Sequence, residues 1–177
     1  MARPVEKDSI VDGPGIRTVL WFQGCTHNCY GCHNPQTHDL DGGYITETSK
    51  IIEEVGDISF QDGITFSGGD PIMQIDAVLE IAKKYPDINK WLYTGFTFEQ
   101  LLLIGEKKES MRELLNLLDV VVDGKFEMNL RSFDVKFRGS TNQRVIDVKK
   151  SLKRKKVIEK KLEYNPKKIV SEKRVYI

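Results

Sequence analysis

At 177 residues, with 40% hydrophobic and 30% charged positions, the chain has the make-up of a soluble globular domain able to bury a core. No run of about 18 apolar residues suggests a membrane span, and residues 1–8 lack the apolar segment of a secretory leader. The net charge of +1 hides an imbalance: residues 149–177 carry 12 Lys/Arg against 3 Asp/Glu, leaving 15 against 23 in residues 1–148.

Short apolar strands alternate with helical patterns, which predicts an α/β fold with a mostly parallel sheet of five to six strands. The first strand covers residues 17–22 and runs straight into a cysteine-bearing loop. A helix is expected over 46–56, with Thr46 or Thr48 as cap, Ile51, Ile52 and Val55 as its apolar stripe and Gly56 at its end. The second strand, 63–67, closes on Gly68-Gly69-Asp70-Pro71. A helix over 75–84 follows and stops before Pro86. The third strand, 91–94, ends at Gly95, and helical segments are expected over 98–104 and 110–118. The fourth strand, 119–123, ends at Gly124-Lys125-Phe126, and a fifth covers 143–147. Residues 149–177 are expected to form a basic extension to a domain ending at 148. The lysine run over 149–156 lacks interleaved aromatics, which argues against nucleic-acid readout, and the basic balance of the extension suits docking on an acidic protein surface.

The chain has three cysteines, Cys25, Cys29 and Cys32, in a C-x3-C-x2-C pattern. An odd count with no secretory leader argues against a disulfide framework. Three thiolates from one loop can hold three irons of a cubane and leave the fourth open to a small molecule, whereas most such clusters take four cysteines. The competing reading is a zinc site of Cys25, Cys29, Cys32 and His33. Adjacent Cys32 and His33 are strained for one ion. Four strands run into glycine at their carboxyl ends, at Gly24, Gly68-Gly69, Gly95 and Gly124. Ligands of parallel α/β folds bind outside those ends, so the cleft is expected on the edge that carries the cysteines.

Five motifs occur in order. Asp12-Gly13-Pro14-Gly15-Ile16-Arg17-Thr18 opens the first strand, and the cysteine loop continues into His33-Asn34-Pro35. Then come Ser67-Gly68-Gly69-Asp70-Pro71, Val122-Asp123-Gly124-Lys125-Phe126 and the string from Phe137-Arg138-Gly139 to Asp147-Val148. Over residues 8–148 the chain resembles the radical S-adenosylmethionine (SAM) enzymes of the glycyl-radical-activating branch. Its short length and the last string are most similar to the activases of anaerobic ribonucleoside-triphosphate reductase.

The resemblance implies a partial, open (β/α) barrel and a cytoplasmic enzyme holding a 4Fe-4S cluster and SAM. It also implies that the reduced cluster cleaves SAM to a 5′-deoxyadenosyl radical, which takes hydrogen from a glycine of the reductase large subunit. A one-electron donor such as flavodoxin or ferredoxin is implied with it. Cys25, Cys29 and Cys32 correspond to the cluster ligands. Gly31, Cys32 and His33 would lie beside the adenine. Gly68, Gly69 and Asp70 match the Gly-Gly-Glu motif that meets the SAM ammonium, with a carboxylate one methylene shorter. Asp123, Gly124 and Lys125 match the strand end that approaches the methionine or ribose. Relatives carry an aromatic before the third cysteine; here Gly31 stands there, with Tyr30 one place earlier. Arg17, Arg138 and Arg144 are candidates for a carboxylate or for the partner surface. An activator of another glycyl radical enzyme and a non-enzymatic metal-binding partner protein are the alternative readings.

Overall fold

In a computed structural model, residues 4–162 are described, and they form an open six-stranded sheet flanked by helices. The strands lie in sequence order: β1 (Val5–Ser9), β2 (Arg17–Phe22), β3 (Gly63–Gly68), β4 (Lys90–Tyr93), β5 (Val120–Asp123) and β6 (Arg144–Asp147). The helices are α1 (Thr48–Val55), α2 (Ile75–Lys84), α3 (Phe98–Lys107), α4 (Glu109–Leu117) and α5 (Val148–Arg154). No helix among the described residues is long and apolar enough to cross a membrane.

Connection length explains the mixed sheet. α1, α2 and the α3–α4 pair supply the crossovers that parallel neighbours require, and β2 through β5 are parallel. Residues 10–16 are too few for a crossover, and residues 124–143 contain only a single 3-10 turn. The edge strands β1 and β6 accordingly run antiparallel. The expected α1 cap is corrected: Glu47 precedes the helix and makes no side-chain cap bond, while Gly56 ends it at φ +64°.

One face of the sheet, through Leu20, Ile64, Phe66, Leu92, Val121 and Ile146, packs on the apolar stripes of the helices. Burying each large apolar side chain there is worth about 1.5–3 kcal/mol. The other face carries Trp91, Val120, Val122 and Val145, covered by Phe137 and Leu162. α5 starts where the basic extension was expected to start, with Asp147 capping it through the Lys150 amide. Val148 and Ser151 are buried, and residues 158–160 add a bridge to the outer edge of β6. Residues 163–177 of that extension lie outside the described residues.

Arg17 is wholly buried near the amino ends of the parallel strands, away from the cysteines. Its five N–H groups donate to Thr65 Oγ1, Asn89 Oδ1 and the carbonyls of Pro14, Ile64 and Asn89. Its guanidinium also lies 5.5 Å from the Trp91 ring centroid. Burial pushes its pKa down to about 10. It is therefore a structural cation with no donor left for a ligand.

Candidate functional site

The four parallel strands end on a common edge, and backbone hydrogen bonds stitch those ends together. Gly24 and Cys25 donate to the carbonyls of Thr37 and His38, so the cysteine loop leaves β2 and returns beside it. Gly69 and Asp70 donate to the carbonyls of Phe22 and Gly24, which pins the loop to the turn after β3. Gly124 donates to Phe96 in the segment after β4. Glycine is required at 68 and 69. Gly68 has φ +108°, where a Cβ would strike the Phe22 backbone, and a Cβ on Gly69 would strike the Gly24 carbonyl.

All three cysteines are free thiols of intermediate burial. Gly31, at φ +72°, and Asn28, at φ +47°, turn the loop, Cys32 N–H donates to Cys29 O and Asn34 N–H to Cys32 Sγ. Desolvation pushes the thiols of Cys25 and Cys29 up from their usual range. Such groups become thiolates when a metal centre displaces their protons. Among the described residues no three His, Cys, Asp or Glu side chains converge on a single ion. A cubane takes each thiolate on a different iron. Three thiols spread along one half-exposed loop fit the larger group.

The end of β5 reaches the second cysteine. The Phe126 amide and the Lys125 charge act on the Cys29 sulfur, opposing the effect of burial. The His33 and Phe126 rings lie 5.0 Å apart at 46°, with Gly139 packed against both. The Sδ of Met128 would sit 2.8 Å from a Cβ on Gly31, so this methionine takes the space that a side chain before Cys32 would fill. Tyr30 is 85% exposed and takes no part in that packing.

Two expected ligand contacts, Asp70 and Asp123, are buried and engaged with protein donors. Asp70 Oδ1 accepts from the Ile72 amide, and Oδ2 from Thr94 Oγ1, the Gly95 amide and His27 Nε2. Asp123 accepts from Arg144 Nε at 3.0 Å and Nη2 at 2.5 Å, and from the Phe98 amide at 2.7 Å. Arg144 continues to both oxygens of Glu99. Glu99 falls to about 2 because Arg144 donates to it, and Arg144 rises chiefly because it donates to Asp123.

The string from Phe137 to Val148 acquires a physical role here. Gln143 donates to the Gly124 carbonyl and Asn142 to the Lys125 carbonyl, while Gln143 Oε1 accepts from the Gly139 and Ser140 amides. Arg138 donates to the Gln143 carbonyl. The Asp123-Gly124-Lys125 end is thus braced by residues 138–144, with the Lys125 side chain exposed. Sequence reasoning missed His27, Thr94 and Met128. His27 sits inside the cysteine spacing, but its partner lies 43 residues away.

Comparison with known proteins agrees with this geometry. Residues 11–146 match the family described as a 4Fe-4S single cluster domain. The chain is 38% identical over 144 residues to the anaerobic ribonucleoside-triphosphate reductase-activating protein of Vibrio cholerae, covering 76% of this chain and 89% of that one. It is 34% identical to the protein of that name from enterobacteria phage T4, covering 76% and 86%. The Escherichia coli K12 protein is 32% identical, covering 76% and 90%. With its cysteine loop, glycine turn and braced β5 end inside the matched region, the chain belongs to the family of anaerobic ribonucleoside-triphosphate reductase-activating proteins.

Proposed function

We propose that this protein is a radical SAM activase that generates a glycyl radical on the anaerobic ribonucleoside-triphosphate reductase. What supports this most is one loop, anchored at the carboxyl edge of the parallel strands, that carries all three cysteines of the chain. Cys25, Cys29 and Cys32 would hold the 4Fe-4S cluster. When bound and reduced, the cluster supplies the electron that cleaves SAM and yields the hydrogen-abstracting 5′-deoxyadenosyl radical.

The protein's own part is to bind, orient and shield. The Gly68-Gly69 turn lets backbone approach backbone, keeping the strand ends close to the cysteine loop. Gly31, Cys32 and His33 would flank the adenine, with the Phe126 ring packed at a tilt against His33. Gly124 and Lys125 would meet the methionine or ribose, held in place by Asn142 and Gln143. The open sheet reads as part of a (β/α) barrel whose open side admits a loop of the reductase large subunit. The electron would come from a protein donor such as flavodoxin or ferredoxin, in the cytoplasm, where thiols stay reduced.

The test combines the reconstituted protein with the reductase, SAM and a one-electron reductant, and follows the protein radical by electron paramagnetic resonance. A radical that requires the cysteines supports the reading. Replacing the radical-bearing glycine of the reductase removes the signal and leaves SAM cleavage intact. Cleavage with no radical on the intact reductase, but one on another glycyl radical enzyme, would redirect the assignment.

A further inference from the structure

We propose that Asp70 is a positioning residue for the cysteine loop, acting through the His27 imidazole. The inference rests on the cluster-binding reading above and concerns how the loop is held. An ionised carboxylate offers about four lone-pair sites. In Asp70, which is wholly buried, Ile72, Thr94, Gly95 and His27 supply four donors. Three of these donors fall on Oδ2, and Oδ1, bound by the Ile72 amide, is closed to solvent, so neither oxygen is exposed to an incoming ammonium group.

Those donors come from three parts of the molecule. Ile72 belongs to the turn after β3, Thr94 and Gly95 to the end of β4, and His27 to the cysteine loop. The His27 side chain is 8% exposed and donates to Oδ2 at 2.7 Å. Its ring meets Phe96 edge-on, with centroids 4.6 Å apart at 73°. A Cβ on Gly95 would strike this ring, so glycine at 95 leaves room for it. Thr94 Oγ1 donates to Asp70 and accepts from the Phe96 amide. Carboxylate, hydroxyl and imidazole thus form one enclosed bracket.

His27 lies two residues from Cys25 and two from Cys29. Fixing its ring against the β4 end fixes where both sulfurs stand relative to the β3 turn. Backbone bonds already hold the two ends of the loop. The His27–Asp70 contact is a buried side-chain tie at its middle. Charge-assisted hydrogen bonds of this kind are the strong ones, and they confer geometry as well as energy.

The experiment compares Asp70→Asn, His27→Ala, His27→Gln and the Asp70→Asn/His27→Ala pair with the wild-type chain. Each is reconstituted anaerobically and read by iron content, the resonance spectrum of the reduced cluster, and equilibrium SAM binding. Amide hydrogen exchange over residues 25–33 is followed in the metal-free chains. Asp70→Asn and His27→Ala should alter the cluster spectrum in the same way, with the pair no worse than either alone. Loop exchange should quicken by about ten- to a hundred-fold, the scale of one lost charge-assisted hydrogen bond. SAM affinity of the loaded fraction should stay at the wild-type value. His27→Gln, which keeps an N–H donor at similar reach, should restore the spectrum.

Loss of SAM binding in Asp70→Asn beside an unaltered His27→Ala would overturn the proposal and give the carboxylate to the substrate amine. If Asp70→Asn fails to fold by circular dichroism, the His27 variants decide: a wild-type spectrum and exchange rate in His27→Ala overturn it. A wild-type chain that takes up no iron overturns the cluster-binding reading itself, and does so before any variant is compared.

Discussion

Replacing Arg144 by Met isolates the ion-pair bracket that holds the β5 end. Asp123 is 1% exposed and receives two of its three hydrogen bonds from this guanidinium. Methionine keeps the apolar stem, removes the guanidinium and leaves the carboxylate one backbone donor. Removing one partner of a fully buried pair costs about 3–5 kcal/mol. The Arg144 side chain is 30% exposed, so water replaces part of what is lost, and about 2–3 kcal/mol is expected. For a chain of this size that lowers the melting temperature by roughly 5–10 °C. Denaturant unfolding of the metal-free chain measures it. Asp123→Asn should cost less, and the double variant should recover about 1 kcal/mol or more relative to the sum of the two. Additive effects within about 0.5 kcal/mol, or an Arg144→Met chain as stable as wild type, would refute the bracket.

Three further outcomes follow from the same geometry. Arg17→Lys should cost about 3–5 kcal/mol, because a three-donor ammonium cannot serve the five acceptors that the buried guanidinium reaches; SAM cleavage per folded molecule should be unchanged. Gly69→Ala should reduce cluster uptake, measured as iron per chain, because its methyl group meets the Gly24 carbonyl at the root of the cysteine loop. Glu99 has a folded pKa of about 2, below its ordinary 4.5, because Arg144 donates to it. Its contribution to stability is therefore full above about pH 4.5 and fades as pH falls toward 2. The contribution is small, since the side chain is 52% exposed. Carboxyl NMR titration of the wild type and Arg144→Met checks the shift, most of which should be lost in the variant.

The parallel core was legible because its patterns are local. The expected helix over 75–84 and strand over 17–22 coincide with α2 and β2, where apolar periodicity, Pro86 and the following loop all agree. β1 was not expected, since Glu6, Lys7 and Asp8 are exposed and only Val5 and Ser9 turn inward. α5 was hidden by its lysines, with only Val148 and Ser151 buried. The motifs pointed to the glycine-ended strands, and the cysteine loop is pinned there, because turns and close backbone approaches leave marks at short range. They did not reveal where the acidic oxygens point. The donors to Asp70 include His27 and Thr94, and those to Asp123 include Phe98 and Arg144, residues that only the folded sheet assembles. Asn142 and Gln143 likewise had no derivable mechanism until the carbonyls of Lys125 and Gly124 lay within reach.

The most direct measurement is 5′-deoxyadenosine formation from SAM by the anaerobically reconstituted protein with a strong one-electron reductant. The account predicts product from the wild-type chain and none from Cys29→Ala. A protein shown to hold its cluster and bind SAM, yet forming no product with the reductant or with the reductase added, would contradict it.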